Sequence, residues 1–184
     1  MNRYRIIWGA LFLIMGSTLL AADKAPDFTL PDMDGNKFKL SEKLKQGPVL
    51  LDFWATWCKP CTQELPEIER LYKTYADKGL QVTTISLDNP KSKSKVKPFV
   101  KGAGYTFGVL YDTNSETRSL FGGNTIPLTM LISQEGMIVY RHLGYNAGDE
   151  KELEQAVRLL LKLDAADSTA AQTLEPQPET KVDE

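Results

Sequence analysis

The most constraining feature of this 184-residue chain is a buried strand that runs, within a few residues, into an amphipathic helix. Val49-Leu50-Leu51-Asp52-Phe53-Trp54-Ala55 is a continuous apolar run broken by one acid. A strand exposed on one face alternates; a run without alternation is covered on both faces, as in the middle of an α/β sheet. From about residue 58 to 77 the period becomes helical, with Leu65, Ile68, Tyr72 and Tyr75 on one face and Leu71 beside them. Pro66 lies inside this helix, where it deletes the hydrogen bond back to Thr62 and predicts a kink.

Other elements arrange themselves around that core unit. Residues 27–40 read as a β-hairpin turning at Asp32-Met33-Asp34-Gly35, and Ser41 as the N-cap of a short helical turn ending near Gly47-Pro48. Residues 81–87 form a second buried strand and residues 109–111 a short one. Residues 89–101 are lysine-rich and helical in part, with Pro98 as an interruption, and residues 115–121 are a short helix. Residues 128–132 and 137–143 make a second hairpin turning at Gln134-Glu135-Gly136. A last helix spans residues 149–163, with Leu153, Ala156, Val157, Leu160 and Leu161 as its apolar stripe.

The two ends read differently from this domain, which occupies residues 23–163. Residues 1–22 carry Arg3 and Arg5, an apolar run from Ile6 to Leu20, then Ala21 and Ala22 before Asp23. Charge, apolar core and small residues in that order are the pattern of a secretory signal. Leu19 or Leu20 occupies the position before the cut where a small residue is preferred, so an uncleaved inner-membrane anchor is the alternative. Residues 164–184 have few large apolar side chains, six acids and one lysine, the composition of a disordered acidic tail. A formal net charge of −2 argues against general nucleic-acid binding.

Both cysteines of the chain fall in Trp57-Cys58-Lys59-Pro60-Cys61, where the central strand gives way to the helix. A disulfide across two intervening residues closes a very small loop and removes little unfolded-state entropy, so it is a poor staple and a good redox switch. Cys58 at a helix N-terminus meets unpaired N–H groups and the positive end of the helix dipole, which lower a thiol pKa and favour the attacking thiolate. Cys61, one turn on, is shielded and placed to resolve a mixed disulfide.

These residues resemble the thioredoxin superfamily, in its exported TlpA/ResA-like branch. The resemblance covers residues 25 to about 163. It rests on Ala25-Pro26-Asp27-Phe28-Thr29-Leu30-Pro31, on Asp52-Phe53-Trp54-Ala55-Thr56-Trp57-Cys58-Lys59-Pro60-Cys61, on Glu64 and Pro66, and on Ile126-Pro127. It implies a thioredoxin-like α/β fold: a mixed central sheet flanked by helices, an added N-terminal β-hairpin and an insertion around residues 89–108. It implies a cis Ile126–Pro127 bond beside the cysteines, with the backbone before Pro127 pairing with substrate. Trp57, Lys59, Pro60, Ile126 and Pro127 are then the substrate-binding residues. On its own terms, Ile126-Pro127 follows Gly122-Gly123-Asn124 and opens a strand, where proline is tolerated. The activity implied is extracytoplasmic disulfide exchange, periplasmic or equivalent, on disulfide-bearing protein substrates, with no cofactor or metal. Electrons would come from a membrane-bound dithiol donor, the protein would act as a monomer, and cytochrome c maturation is a representative task.

Asp52 stands within the apolar strand, so burial should raise its pKa and make it a proton acceptor for Cys61. Asp88, after the next strand, is the competing acceptor. The Lys-Pro pair between the cysteines and Ile before Pro127 lean towards the reducing direction. His142, the only histidine, reads as a strand-edge surface residue rather than a partner of Cys58. Lysines 91, 93, 95, 97 and 101 read either as a solvated helix face or as a docking patch for an acidic partner. Two other functions compete. A peroxiredoxin-class thiol peroxidase would need threonine three residues before its cysteine, and Thr56 lies two before Cys58. A Cu(I) metallochaperone could use the two soft thiolates but usually has wider cysteine spacing.

Overall fold

The structure is a computed structural model, and it describes residues 23–163. The readings of residues 1–22 and 164–184 lie outside the described residues. Among the described residues no helix is long and apolar enough to cross a membrane.

The chain opens with a hairpin of β1 (Thr29–Pro31) and β2 (Lys37–Lys39), then α1 (Leu40–Lys43) and a 3-10 turn, Leu44–Gln46. It continues through β3 (Val49–Trp54), α2 (Lys59–Tyr75) and β4 (Gln81–Ser86). Next come α3 (Val96–Ala103), β5 (Gly108–Tyr111) and α4 (Glu116–Leu120). The last elements are β6 (Leu128–Ile132), β7 (Ile138–Leu143) and α5 (Glu150–Leu160). The main sheet has the order β5-β4-β3-β6-β7; β3, β4 and β5 run parallel, and β6 and β7 are antiparallel to their neighbours.

Every residue of β3 is buried, as its unalternating sequence requires of the central strand. Leu50 and Trp54 point to one face, against Cys61, Leu65 and Ile68 of α2, Val96 of α3 and Val157 of α5. Val49, Leu51 and Phe53 point to the other, against Phe28, Leu40, Leu44 and Phe121. The N-terminal hairpin and α1 thus cover the face that α2 and α5 leave open. Each fully buried leucine or isoleucine contributes about 1.5–3 kcal/mol to this arrangement.

Two local readings are corrected. Ser41 is not the N-cap of α1, because the helix begins one residue earlier. Asp27 supplies the cap-like contact from across the chain, accepting from Ser41 N (2.9 Å) and Ser41 Oγ (2.9 Å). Pro98 does not interrupt the lysine-rich helix. It is the third residue of α3, in the first turn, where backbone N–H groups have no intrahelical partner and proline removes nothing.

Gly47 joins the 3-10 turn to β3 with φ 153° and ψ 178°, and a Cβ there would stand 2.2 Å from the carbonyl oxygen of Gly79. Gly47→Ala should therefore cost about 2–4 kcal/mol, read as a lowered urea midpoint. A shift below about 0.5 kcal/mol would show that the two turns separate without penalty.

Candidate functional site

Cys58 and Cys61 are joined in a disulfide at the start of α2 (S–S 2.02 Å). The geometry follows from the local sequence. β3 ends at Trp54, Cys58 N–H donates to Ala55 O (3.1 Å), and Cys58 takes the extended N-cap conformation. Its Sγ accepts from Cys61 N–H at 3.3 Å, so an orphan donor of the first turn is aimed at the sulfur. Pro60 sits in that same turn, at a position where its missing N–H costs nothing.

Cys58 is 7% exposed and Cys61 is fully covered. Trp57, Lys59 and Pro60 are exposed around them, and Trp57 is 64% accessible although its ring is large and apolar. The Ile126–Pro127 bond is cis. Phe53 of β3 pairs with Leu128 of β6, which sets Pro127 at the level where β3 ends and the cysteine loop begins. Ile126 is half-buried and packs against the cluster that holds both cysteines.

Asp52 is buried on the face of β3 that α2 covers, directly opposite Thr129 of β6. It does not stand alone there, and the sequence reading missed its companions. Glu64 is only 4% exposed and its Oε1 accepts from Thr129 Oγ1 at 2.6 Å, while the same hydroxyl lies 3.4 Å from Asp52 Oδ1. A threonine hydroxyl has one hydrogen. The shorter contact gives it to Glu64, so Asp52 keeps only a long, weak contact with this hydroxyl. Burial, reinforced by the charge of Glu64, holds the Asp52 pKa well above the usual carboxylate range. Burial likewise pushes Glu64 up to about 7, against the hydrogen bond from Thr129. Glu64 Oε2 is buried without a hydrogen-bond partner, as expected of a group whose ionisation is resisted. The signal for Glu64 was present in the sequence. It lies three residues after Cys61 and four before Ile68, on the apolar face of α2.

Asp88 is also buried, but its carboxylate is occupied. It accepts from Thr56 N (2.8 Å), Thr56 Oγ1 (2.6 Å) and Ser86 Oγ (3.0 Å), and so ties the cysteine loop to the end of β4. Those bonds also commit the Thr56 hydroxyl away from the cysteines. His142 lies on the edge strand β7, half-buried, opposite Thr129, with Nε2 3.1 Å from Asp149 Oδ2. Among the described residues no cluster of three or more His, Cys, Asp or Glu is arranged to hold a metal ion.

A mixed five-stranded sheet, a two-cysteine redox pair at a helix N-terminus and a cis-proline loop beside it define a thioredoxin-like thiol–disulfide oxidoreductase. Residues 21–141 match the AhpC/TSA family, and the chain belongs to it. It is 35% identical over 129 residues to the thiol-disulfide oxidoreductase ResA of Bacillus thuringiensis (strain Al Hakam), covering 70% of this chain and 73% of that one. It is 38% identical over 136 residues to the thioredoxin-like protein YneN of Bacillus subtilis (strain 168), covering 74% and 78%. A crystal structure assigned as a thiol:disulfide interchange protein DsbE from Chlorobium tepidum superposes with a TM-score of 0.70. Its identity is 36%, over 76% of this chain and 96% of that one.

Proposed function

We propose that this protein reduces disulfides in partner proteins outside the cytoplasm. The observation that carries the reading is the Cys58–Cys61 pair at the N-terminus of α2, with the Cys61 N–H directed at Cys58 Sγ. In the reduced protein that donor and the helix dipole favour the Cys58 thiolate. The thiolate attacks one sulfur of the partner's disulfide and expels the other as a thiolate. Cys61, deprotonated, then attacks Cys58 Sγ and releases the partner's second thiol. Two electrons pass to the partner, and the protein is left with the disulfide seen in the structure.

Asp52 takes the Cys61 proton in the second step. It lies on the same face of β3 that Cys61 packs against, and burial raises its pKa above the usual carboxylate range, which makes it a stronger base than an exposed aspartate. Asp88 is less suited, because three donors already fill its carboxylate. Trp57, Lys59 and Pro60 offer an exposed rim for the partner, and the backbone before Pro127 pairs with it. A membrane-bound dithiol protein recharges the pair, and no cofactor is needed. Residues 1–22 support export, either as a cleaved signal or as a retained anchor, and residues 164–184 as an acidic tail lie outside the redox domain. Cytochrome c maturation, which consumes reduced cysteine pairs outside the cytoplasm, is a task such a protein fits.

The test is the equilibrium potential of Cys58–Cys61 against glutathione. A value near roughly −270 mV agrees with a reductant, whereas one near about −120 mV would make the protein an oxidant and reverse the assigned direction.

A further inference from the structure

Beyond Asp88, the segment that joins β4 to β5 carries charge of one sign. Residues 89–111 contain five lysines and no aspartate or glutamate, in a chain with 22 basic and 24 acidic residues. Lys93, Lys97 and Lys101 recur every fourth residue through the 3-10 turn Lys93–Lys95 and into α3, so they share one face. That face lines a 740 Å³ cavity whose floor is apolar, with Pro31, Met33 and Tyr111 among its walls. The N-terminal hairpin closes the far side, held against β5 by a bridge between Asp32 and Leu110.

The charges at this cavity are incompletely used. Lys97 Nζ pairs with Asp34 at 2.7 Å, on an aspartate that is 71% exposed, and Lys93 Nζ lies 4.4 Å from the centre of the Tyr111 ring. Lys91, Lys95 and Lys101 make no ion pair among the described residues. Asp32 is turned into its own loop, accepting from Asp34 N and from Asn36 N and Nδ2.

The cavity also sits close to the redox pair. β3, β4 and β5 are parallel, so the cysteine loop after β3 and the lysine segment after β4 leave the sheet at the same end. Asp88 bonds the two loops together through Thr56, and Phe99 of α3 packs 5.5 Å from Trp54 at the end of β3.

We propose that the lysine-lined cavity docks an acidic, extended segment of the disulfide-bearing partner, with an apolar side chain on the floor and carboxylates at Lys93, Lys97 and Lys101. The proposal rests on the reading of Cys58 and Cys61 as the reductant, and adds to it the charge of the preferred partner. Exposed lysines steer such a segment from a distance and lose that effect as salt screens them. Lys97 exchanges the exposed Asp34 for a partner carboxylate at little cost.

The test uses the reduced full-length protein and two fluorescently labelled synthetic peptides with the same disulfide loop, one flanked by glutamates and the other by glutamines. At low ionic strength the glutamate peptide should be reduced about fivefold faster, and the ratio should fall towards one as salt rises. The variant carrying Lys93→Gln, Lys97→Gln and Lys101→Gln should lose the preference while reducing the glutamine peptide at the wild-type rate. Equal rates for the two peptides, or a preference that survives in the triple variant, would overturn the proposal. If deletion of residues 164–184 speeds reduction of the glutamate peptide several-fold, the chain's own acidic segment is the occupant and the proposal again fails. Reduction of neither peptide would sink the redox reading instead. Docking would then still be decided by anisotropy of the same peptides, where a glutamate preference absent from the triple variant supports it and equal binding refutes it.

Discussion

Cys61→Ser should stop turnover, by at least about a thousandfold, and leave the protein joined to its partner through Cys58. Cys58 is the sulfur that meets the exposed rim of Trp57, Lys59 and Pro60, and it receives the N–H of residue 61, which a serine backbone retains. Attack on the partner disulfide is therefore preserved, and only the resolving thiol is missing. The adduct should appear on a non-reducing gel, disappear with dithiothreitol, and map by mass spectrometry to Cys58. Cys58→Ser should be equally inactive and form no adduct. Comparable adduct formation through Cys61 in Cys58→Ser would reverse the two roles and refute the mechanism.

Asp52→Asn should slow disulfide exchange about 10- to 100-fold at neutral pH, because the substituted side chain cannot take the Cys61 proton. The loss should shrink at alkaline pH, where hydroxide and buffer deprotonate the thiol without help. An unchanged pH–rate profile would exclude Asp52 as acceptor. Glu64→Gln is the necessary companion, since the two carboxyls share the Thr129 hydroxyl and the charge of Glu64 helps to raise Asp52. With that charge removed, the rate limb attributed to Asp52 should move to lower pH.

The same pair has a signature in stability. Glu64 has a folded pKa of about 7 against an ordinary value of 4.5, so between those limits the folded protein binds more protons than the unfolded chain. Stability is then greatest below the unfolded pKa and is lost as pH rises through the folded one, on the order of 2–3 kcal/mol for Glu64. Asp52, also raised, adds a loss of the same sign above its ordinary pKa of 3.8. Glu64→Gln should flatten the decline between pH 4.5 and about 7 and make the oxidised protein more stable at neutral pH. A urea midpoint that rises over this range in the wild type would contradict the burial of these charges.

The sequence by itself determined what is local. Residues 49–61 specify a doubly covered strand, a cysteine at the mouth of a helix and a second cysteine one turn on, because apolar period and helix-terminus chemistry act over a few residues. The same pattern buried Asp52, since a residue between Leu51 and Phe53 in a central strand has no route to water. The hairpins, the order of strands and helices and the segment between β4 and β5 follow from the same periodicities.

What the tertiary structure decided is partnership. Thr129 reaches Asp52 from 77 positions away and Glu64 from 65, through the antiparallel register of β6 on β3 and the packing of α2 across both. Asp88 became a brace rather than a free acid only because the end of β4 meets Thr56. Asp27 displaced Ser41 as the cap of α1 from 14 residues away. Periodicity states which face of an element turns inward. Which group it meets there is set by strand order and register, and no short stretch of the chain encodes them.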